Sequence, residues 1–117
     1  MKMKTQGLND GYIGIYMQKK NTTDFSAAIT PKNLDDMDKV IDLAYKEQYK
    51  RQQDYEFAES SGNTLSLKVR TLLYEGVTTR HKAVIDNIVY SIFKTDHDKE
   101  ERVMYLFLEE ERKLERE

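Results

Sequence analysis

Two short apolar runs, Ala83 to Ile85 and Ile88 to Tyr90, flank the polar pair Asp86-Asn87 in the stretch from Arg80 to Phe93, RHKAVIDNIVYSIF. The pattern predicts a β-hairpin closed by a two-residue turn at Asp86-Asn87, because Asp and Asn tolerate the left-handed backbone of a tight turn. With this turn Ile85 faces Ile88 on the core side, whereas the opposite side becomes polar after one pair of residues. A ribbon of two strands is only marginally stable alone, so the hairpin requires partner strands.

Three other stretches have the pattern of strands. Tyr12 to Met17 and Thr64 to Thr71 alternate apolar and polar residues, which is the period of a strand with one buried face. Val103 to Leu108 is apolar on both faces, which predicts a central strand covered on two sides. Between the strands, Gln18 to Asn33 predicts a long polar loop and Thr95 to Glu101 a charged turn. We therefore expect a mainly β protein.

The segment from Asn33 to Ser60 is compatible with two interpretations. As a helix, Asn33 would cap the N-terminus, and Met37 and Ile41 would recur at helical spacing. As a strand, Val40 to Lys46 would place alternate apolar residues on one face, followed by a charged connection. Helical periodicity is the stronger of the two patterns, and the residues alone leave the choice open.

With 117 residues the chain is long enough for a single domain with one modest core. Met1 to Asp10 predicts a mobile polar arm, and Glu109 to Glu117 predicts a solvated or partner-docking charged tail. No stretch has an apolar run of signal-peptide or membrane-spanning length, so we expect neither secretion nor a membrane span.

Charge and composition narrow the classes of function. Charged residues make up 34% of the chain but the formal net charge is −2, which does not indicate a general nucleic-acid-binding surface. The absence of Cys excludes disulfides and thiolate chemistry. Asp96-His97-Asp98 is interpreted as a polar turn rather than a metal site, because consecutive residues do not converge on one ion. His81 is interpreted as a packing residue, and we expect no catalytic residue, metal or cofactor.

The order of several motifs between about Val40 and Glu110 gives a further indication. They are Ala44-Tyr45 at the end of a strand, the charged segment Asp54 to Ala58, the alternating strand Leu65 to Arg70, Arg80 with Lys82 before the hairpin, Tyr90-Ser91-Ile92 within it, the acidic turn Asp96 to Asp98 and the final strand Tyr105 to Leu108. In this order and spacing the chain resembles the head-completion, or head–tail joining, proteins of long-tailed phages, a family that closes the connector beneath the portal and includes the stopper type.

The resemblance implies a fold as well as a function. It implies a small antiparallel β-barrel or curled sheet of about five to six strands, with a long internal loop or short helix and flexible termini. It also favours a strand for Val40 to Lys46 and a loop or short helix for Lys50 to Glu59. We adopt this interpretation of the ambiguous segment, although the helical periodicity argues against it.

Under the resemblance the protein is a structural, non-catalytic component that closes the head after DNA packaging and joins it to the tail. It would form a homo-oligomeric ring of about six or twelve copies. The ring would bind the adaptor and portal complex on one side and the tail terminator or tail tube protein on the other, with phage DNA in its channel and no sequence specificity. The expected location is the head–tail interface of the virion, and the host cytoplasm during assembly.

The resemblance also assigns candidate site residues. The segment from Tyr49 to Ser60 would face the channel and act as a DNA stopper. Its candidate residues are Tyr49, Lys50, Arg51, Gln52, Gln53, Asp54, Tyr55, Glu56 and Phe57. At the C-terminal end Arg112, Lys113 and Arg116 would form the tail interface, where they could pair with acidic residues of a neighbouring subunit.

Two alternative functions stay open. An adaptor or tail-terminator role in the same assembly is favoured if Asn33 to Ser60 forms one long helix. The eight tyrosines and four phenylalanines would instead suit a small barrel that stacks single-stranded nucleic acid. Aromatic residues are common in strands, however, and no basic stripe accompanies them here, so this second alternative is the weaker one.

Overall fold

A computed structural model of the chain describes residues 7–18 and 37–114. Its elements are β1 (Gly11–Gln18), β2 (Met37–Glu47), α1 (Gln52–Ser60), β3 (Leu67–Leu72), β4 (Lys82–Ile85), β5 (Ile88–Asp98) and β6 (Val103–Lys113). The prediction of a mainly β fold with a short helix is therefore confirmed. Most of the predicted loop, the first six residues and Arg116 lie outside the described residues. Among the residues that the structure describes, no helix is both long and apolar enough to cross a membrane.

The strands form one antiparallel sheet in the order β1-β2-β3-β6-β5-β4. The sheet closes as a barrel because β4 also pairs with β1, through Gly14–Tyr16 against residues 82–84. The longest pairing joins β5 to β6, from Ile88 opposite Lys113 to Asp98 opposite Val103. Closure gives the terminal strands of the sheet a partner on both sides, which reduces the unpaired edge of the sheet.

The predicted hairpin is confirmed in both its turn and its register. Asp86 and Asn87 have φ angles of 52° and 68°, the left-handed backbone expected of a two-residue turn. Ile85 lies opposite Ile88, and the strands β4 and β5 continue from there. His81, just before β4, is buried, and its Nδ1 lies 3.1 Å from the backbone N–H of Thr78, which donates a hydrogen bond to it. This contact agrees with a packing role for His81.

The barrel interior is filled by alternate residues of the strands. The fully or nearly fully buried members of this core are Ile13, Ile15, Leu43, Tyr45, Val69, Val77, Ala83, Ile85, Tyr90, Ile92, Met104, Leu106 and Leu108. The predicted strand at Val103 to Leu108 is confirmed as covered on two sides, since Leu106 faces the interior while Phe107, 2% exposed, belongs to a separate cluster with Ala58 and Leu65. Leu65, which the alternation assigns to the core face, thus lies in this second cluster and precedes β3.

The strand interpretation of the ambiguous segment is confirmed for residues 37–47, which form β2. Ile13 of β1 lies opposite Leu43 of β2, and β3 pairs with the end of β2 at Glu47. Leu43 and Tyr45 point into the core, which is the burial that decides between strand and helix. A single long helix from Asn33 to Ser60 is therefore wrong for this part of the segment, because backbone pairing to two neighbouring strands outweighs the helical periodicity.

A small apolar cluster lies on the opposite side of the sheet from the barrel core. It is formed by Tyr16, Met37, Val89 and Leu114. Gly14 makes room for it, because a Cβ at that position would lie 2.8 Å from Cε1 of Tyr16. Gly14, the second glycine of GYIGIY, therefore allows the Tyr16 ring to lie against the backbone of its own strand.

The predicted free termini are shorter than the sequence suggested. Leu8 is only 5% exposed, and the Asp10 carboxylate accepts a hydrogen bond of 2.8 Å from the backbone N–H of Glu47, so a mobile arm is wrong for these positions. The charged tail is also wrong from Glu109 to Leu114, because β6 continues to Lys113 and Leu114 is buried. Pairing with the start of β5 supplies backbone hydrogen bonds that water would supply to a solvated tail.

The acidic turn is displaced from its predicted position. Asp96 to Asp98 belong to β5, and the chain reverses at residues 99–102, where Arg102 has a φ of 62°. The Asp98 carboxylate accepts a hydrogen bond of 3.0 Å from the backbone N–H of Glu101 and so begins the turn. A polar turn at Asp96-His97-Asp98 is therefore wrong for the first two residues, because their backbones pair with Tyr105 and Met104 of β6.

Candidate functional site

Helix α1 packs on the outside of the barrel, against strands β3, β6 and β5. Ala58 on its inner face is 2% exposed and forms a buried cluster with Leu65 and Phe107. Phe93 and Tyr105 pack against the same cluster. This contact explains why β6 is apolar on both faces, since one face lines the barrel core and the other receives the helix.

The start of α1 is fixed by a carboxylate. The backbone N–H of Arg51 donates to Oδ2 of Asp54 at 2.9 Å, which satisfies one of the N–H groups at the helix start. The same oxygen lies 2.9 Å from Nζ of Lys68 on β3, and both side chains are largely buried. Burial favours the neutral acid, but the hydrogen bond from Arg51 and the Lys68 ammonium together outweigh it and lower the pKa of Asp54.

Aromatic rings and a lysine hold the middle of α1. The Phe57 ring stacks on that of Phe93, with centroids 6.3 Å apart and an angle of 11° between their planes. The Lys94 ammonium lies 4.5 Å from the centroid of Phe57 and 4.8 Å from that of Phe107. Stacking and cation–π contacts of this kind each contribute about 0.5–1.5 kcal/mol beyond the burial of apolar area.

A β-bulge in β5 makes this arrangement possible. The register between β5 and β6 shifts between Ile92 and Lys94, so that Phe93 is the extra residue. In a regular strand neighbouring side chains point to opposite faces, and a bulge relaxes this rule. Ile92 therefore enters the barrel core while Phe93 and Lys94 both reach α1.

The chain is also fixed on either side of α1. Before the helix, Nζ of Lys50 donates to the backbone oxygen of Ser66 at 3.2 Å. After it, Nδ2 of Asn63 donates to Oε1 of Glu109 at 2.8 Å. The segment is thus tied to β6 and to the residue before β3, and it is a docked helix rather than a free loop.

The outward residues of this segment expose aromatic groups. Tyr49 is 92% exposed and Tyr55 46%, whereas most large apolar side chains of the described chain are in the core clusters. Gln52 and Glu56 lie beside Tyr55, and Nε2 of Gln52 donates to the Glu56 carboxylate at 3.2 Å. We call Tyr49, Gln52, Tyr55 and Glu56 the outer helix surface. Exposed aromatic groups on a fixed support are typical of protein contact sites.

The candidate residues fall into three groups. Tyr49, Lys50 and Arg51 precede α1, and the rest of the candidate channel segment lies on the helix, where Asp54 faces the barrel. Arg112 and Lys113 lie near the end of β6, opposite Val89 and Ile88, and are partly buried and exposed respectively. Arg116 lies outside the described residues. Arg112 and Lys113 pair with the start of β5, whereas α1 packs over Phe93 and Phe107, so the two candidate surfaces lie on different parts of the barrel.

The residues that attach α1 to the barrel were not predicted. They are Lys68, Phe93, Lys94 and Phe107. One feature of the sequence did indicate such an attachment. β6 is apolar on both faces, so another element must pack on its outer face. Their pairing with particular helix residues depends on the bulge in β5, which the alternation pattern does not reveal.

The described geometry suits a binding surface. Within residues 7–18 and 37–114, no group of three or more His, Asp or Glu side chains is arranged to hold a metal ion. Asp96 and His97 are consecutive residues of one strand, and successive side chains of a strand point to opposite faces. No protein-family model and no curated protein sequence matches the chain.

Proposed function

We propose that the chain is a structural component of a phage head–tail connector, which closes the head after DNA packaging and joins it to the tail without catalysis. The observation that carries the proposal is the outer helix surface, which exposes two tyrosines on and beside a helix docked on a small closed barrel. The motif order that resembles head-completion proteins supports it. A connector subunit needs this combination, because it must keep its shape while it contacts several neighbours.

The helical part of the outer helix surface, Gln52, Tyr55 and Glu56, would contact a neighbouring copy in a ring. Contacts between different surfaces of identical subunits close into a ring when the rotation between copies is suitable. Glu56 and Glu59 give the helix negative charge, and the exposed Lys113 at the end of β6 offers a complementary charge. The adaptor and portal complex and the tail terminator or tail tube protein are the expected partners on the two sides of the ring.

The channel-facing role is proposed for a narrower set of residues than the sequence suggested. Asp54 and Ala58 face the barrel and hold the helix, so they support the segment and do not contact DNA. Tyr49 is the most exposed large apolar residue of the described chain, and we propose it as the residue that faces the channel. The near balance of acidic and basic residues between positions 49 and 60 suits DNA that must pass without sticking.

An adaptor or tail-terminator role in the same assembly is the second candidate. The observation that would favour it, one long helix from Asn33 to Ser60, is not met in residues 37–60. Single-stranded nucleic-acid binding is the weaker alternative. Tyr12, Tyr49 and Tyr55 are exposed, but Phe93 and Phe107 hold α1 and are not available to stack on bases. The stopper-type connector is therefore the function that the geometry supports best.

Deleting the gene from its phage tests the proposal. We expect electron microscopy to show heads that fill with DNA but leak it or fail to join tails, and infectivity to be lost. Supplying the protein from a plasmid should restore tailed particles. Normal infectious particles without the protein would contradict the proposal.

A further inference from the structure

Arg70 of β3 is a half-buried arginine to which the described part of the chain offers neither a hydrogen-bond acceptor nor a carboxylate. Its Nε is buried and has no hydrogen-bond partner. Withdrawing a charged group from water is unfavourable unless a partner compensates it, and most buried polar atoms have one. The unpaired guanidinium therefore marks a place where a bound anion would be stabilised.

The register of the sheet shows which side chains are next to Arg70. Val69 and Thr71 are buried, and successive side chains of a strand alternate between faces, so Arg70 lies on the outer face of β3. Lys46 of β2 and Tyr105 of β6 are directly opposite it on the two neighbouring strands. Residues that are directly opposite share a face, with Cβ atoms about 4.5–5.5 Å apart. An ammonium, a guanidinium and a tyrosine ring thus form a row on the outside of the barrel.

The backbone at Gly7 lies close to the guanidinium. Gly7 has a φ of 90°, and a Cβ there would lie 2.8 Å from Nη2 of Arg70, so a side chain at this position would push against the group. Of the three guanidinium nitrogens, Nε is the one that is buried without a partner, which leaves the edge formed by Nη1 and Nη2 for a ligand. Because part of the group is withdrawn from water, its attraction for an anion at that edge is strengthened.

The charges around Arg70 indicate which kind of anion fits. The Lys46 ammonium lies 3.9 Å from Oδ1 of Asp10, and the Lys68 ammonium lies 2.9 Å from Oδ2 of Asp54, so both lysines have a carboxylate nearby. The charge left without a described partner is that of Arg70. A carboxylate matches this single charge better than a phosphate monoester, which carries about −1.5 to −2 at neutral pH. The planar guanidinium also binds a carboxylate through two parallel hydrogen bonds.

We propose that Arg70 binds the carboxylate of an Asp or Glu side chain presented by a partner protein. Nη1 and Nη2 of Arg70 donate to the two carboxylate oxygens, and the partly exposed Lys46 adds a weaker attraction from the neighbouring strand. Tyr105 bounds the site on the side of β6. The proposal is independent of the connector role and uses no residue of the outer helix surface.

Binding of short peptides to the purified chain tests the proposal. The probe is acetyl-Gly-Glu-Gly-amide, and the matched control is the same peptide with Gln in place of Glu, which has nearly the same shape and no charge. At low ionic strength we expect saturable NMR shifts of the Arg70 Nε–H signal and of the amides of Lys46 and Tyr105 with the glutamate peptide only. Equal binding of the two peptides, or no binding of either, would overturn the proposal.

Arg70→Met separates a binding role from a structural one. It replaces the guanidinium by an apolar side chain, so that no unpaired charge remains on the sheet. We expect the peptide-induced shifts at Lys46 and Tyr105 to be lost, and the midpoint of urea denaturation to be equal to or above that of the unaltered chain. A lower midpoint would show that the fold itself depends on the Arg70 charge, and would contradict the assignment.

Two further substitutions locate the bound carboxylate. Lys46→Gln removes the neighbouring charge and should weaken binding roughly two- to fivefold. Arg70→Lys keeps the charge but loses the planar pair of donors, and should weaken binding more than Lys46→Gln does. The control Lys39→Gln, towards the other end of β2, removes a lysine that is paired with Asp42 and should leave affinity unchanged. Equal affinity of Arg70→Lys and the unaltered chain would contradict binding by the guanidinium.

Inorganic phosphate and a short single-stranded DNA distinguish other sources of negative charge. Phosphate carries more charge than a carboxylate on a compact ion, and the DNA presents a row of phosphodiester groups. At equal ionic strength we expect the glutamate peptide to shift the Arg70 Nε–H signal at lower concentration than inorganic phosphate or the DNA, counted per phosphate. Tighter binding of either would contradict recognition of a protein carboxylate.

Discussion

Asp54 connects the start of α1 to the barrel. One of its oxygens accepts both the Arg51 N–H and the Lys68 ammonium. Asp54→Asn should keep an acceptor for the backbone but leave the largely buried Lys68 without its counter-charge. We expect the free energy of unfolding to fall by about 1.5–3 kcal/mol near pH 7, measured by urea denaturation.

The pH dependence of this loss has a definite sign. The pKa of Asp54 is lower in the folded protein than the unfolded value of about 3.9. Its ionised form therefore stabilises the fold fully above that value, and the contribution disappears as the pH falls through the folded pKa. The difference between the unaltered chain and Asp54→Asn should shrink towards zero in acid. The control Asp38→Asn, an exposed carboxylate, should show little difference at any pH.

At the scale of elements, α1 depends on the barrel more than the barrel depends on α1. A helix of nine residues is too short to be stable alone. Phe57→Ala removes the stack on Phe93 and the contact with Lys94, which should weaken docking by about 1–2 kcal/mol. We expect hydrogen exchange of the α1 amides to accelerate about 5- to 30-fold while the β5 and β6 amides remain protected.

Tyr55→Ala is the matched control for this change. Tyr55 is on the same helix but faces outward, and it is 46% exposed. Its removal should leave exchange in α1 nearly unchanged, after allowance for the small gain in helix propensity on replacing Tyr with Ala. Equal acceleration by the two variants, or loss of protection throughout the barrel, would show that Phe57 does not act as a local attachment.

The elements that the sequence predicted well are those whose pattern and local chemistry agree. Asp86-Asn87 combines a turn residue pair with apolar residues on both sides, and the hairpin has the expected register. β6 was predicted because residues 103–108 are apolar on both faces, and this pattern can be recognised without knowing the partner strands. For β2 the helical periodicity was the stronger pattern, but the strand interpretation was adopted, and residues 37–47 form a strand.

The elements that the sequence missed are fixed by long-range backbone pairing. Glu109 to Lys113 has charged side chains throughout, yet it is a strand because its backbone pairs with the neighbouring strand β5. Leu114 closes this pairing, since its N–H donates to the backbone oxygen of Asn87 at 2.7 Å. The attachment of α1 was missed for a similar reason, because the bulge at Phe93 appears only in the register of two paired strands.

At the scale of the whole molecule, the closed barrel is a rigid support for α1. The long pairing of β5 with β6, the strands on which Phe93 and Phe107 lie, carries the helix on the outside of the barrel. The outer helix surface is proposed for assembly, whereas the core inside the barrel is formed by other residues. A substitution of an exposed residue of the outer helix surface should therefore leave the barrel intact.

Complementation of the gene deletion tests the central proposal most directly. The variant Tyr49→Ser with Tyr55→Ser alters only exposed residues of the outer helix surface, and Tyr74→Ser alters an exposed tyrosine elsewhere. Electron microscopy should show tailed, DNA-filled particles with the unaltered protein and with Tyr74→Ser, but separate heads and tails with the double variant. Tailed infectious particles at the normal yield with the double variant would contradict the account.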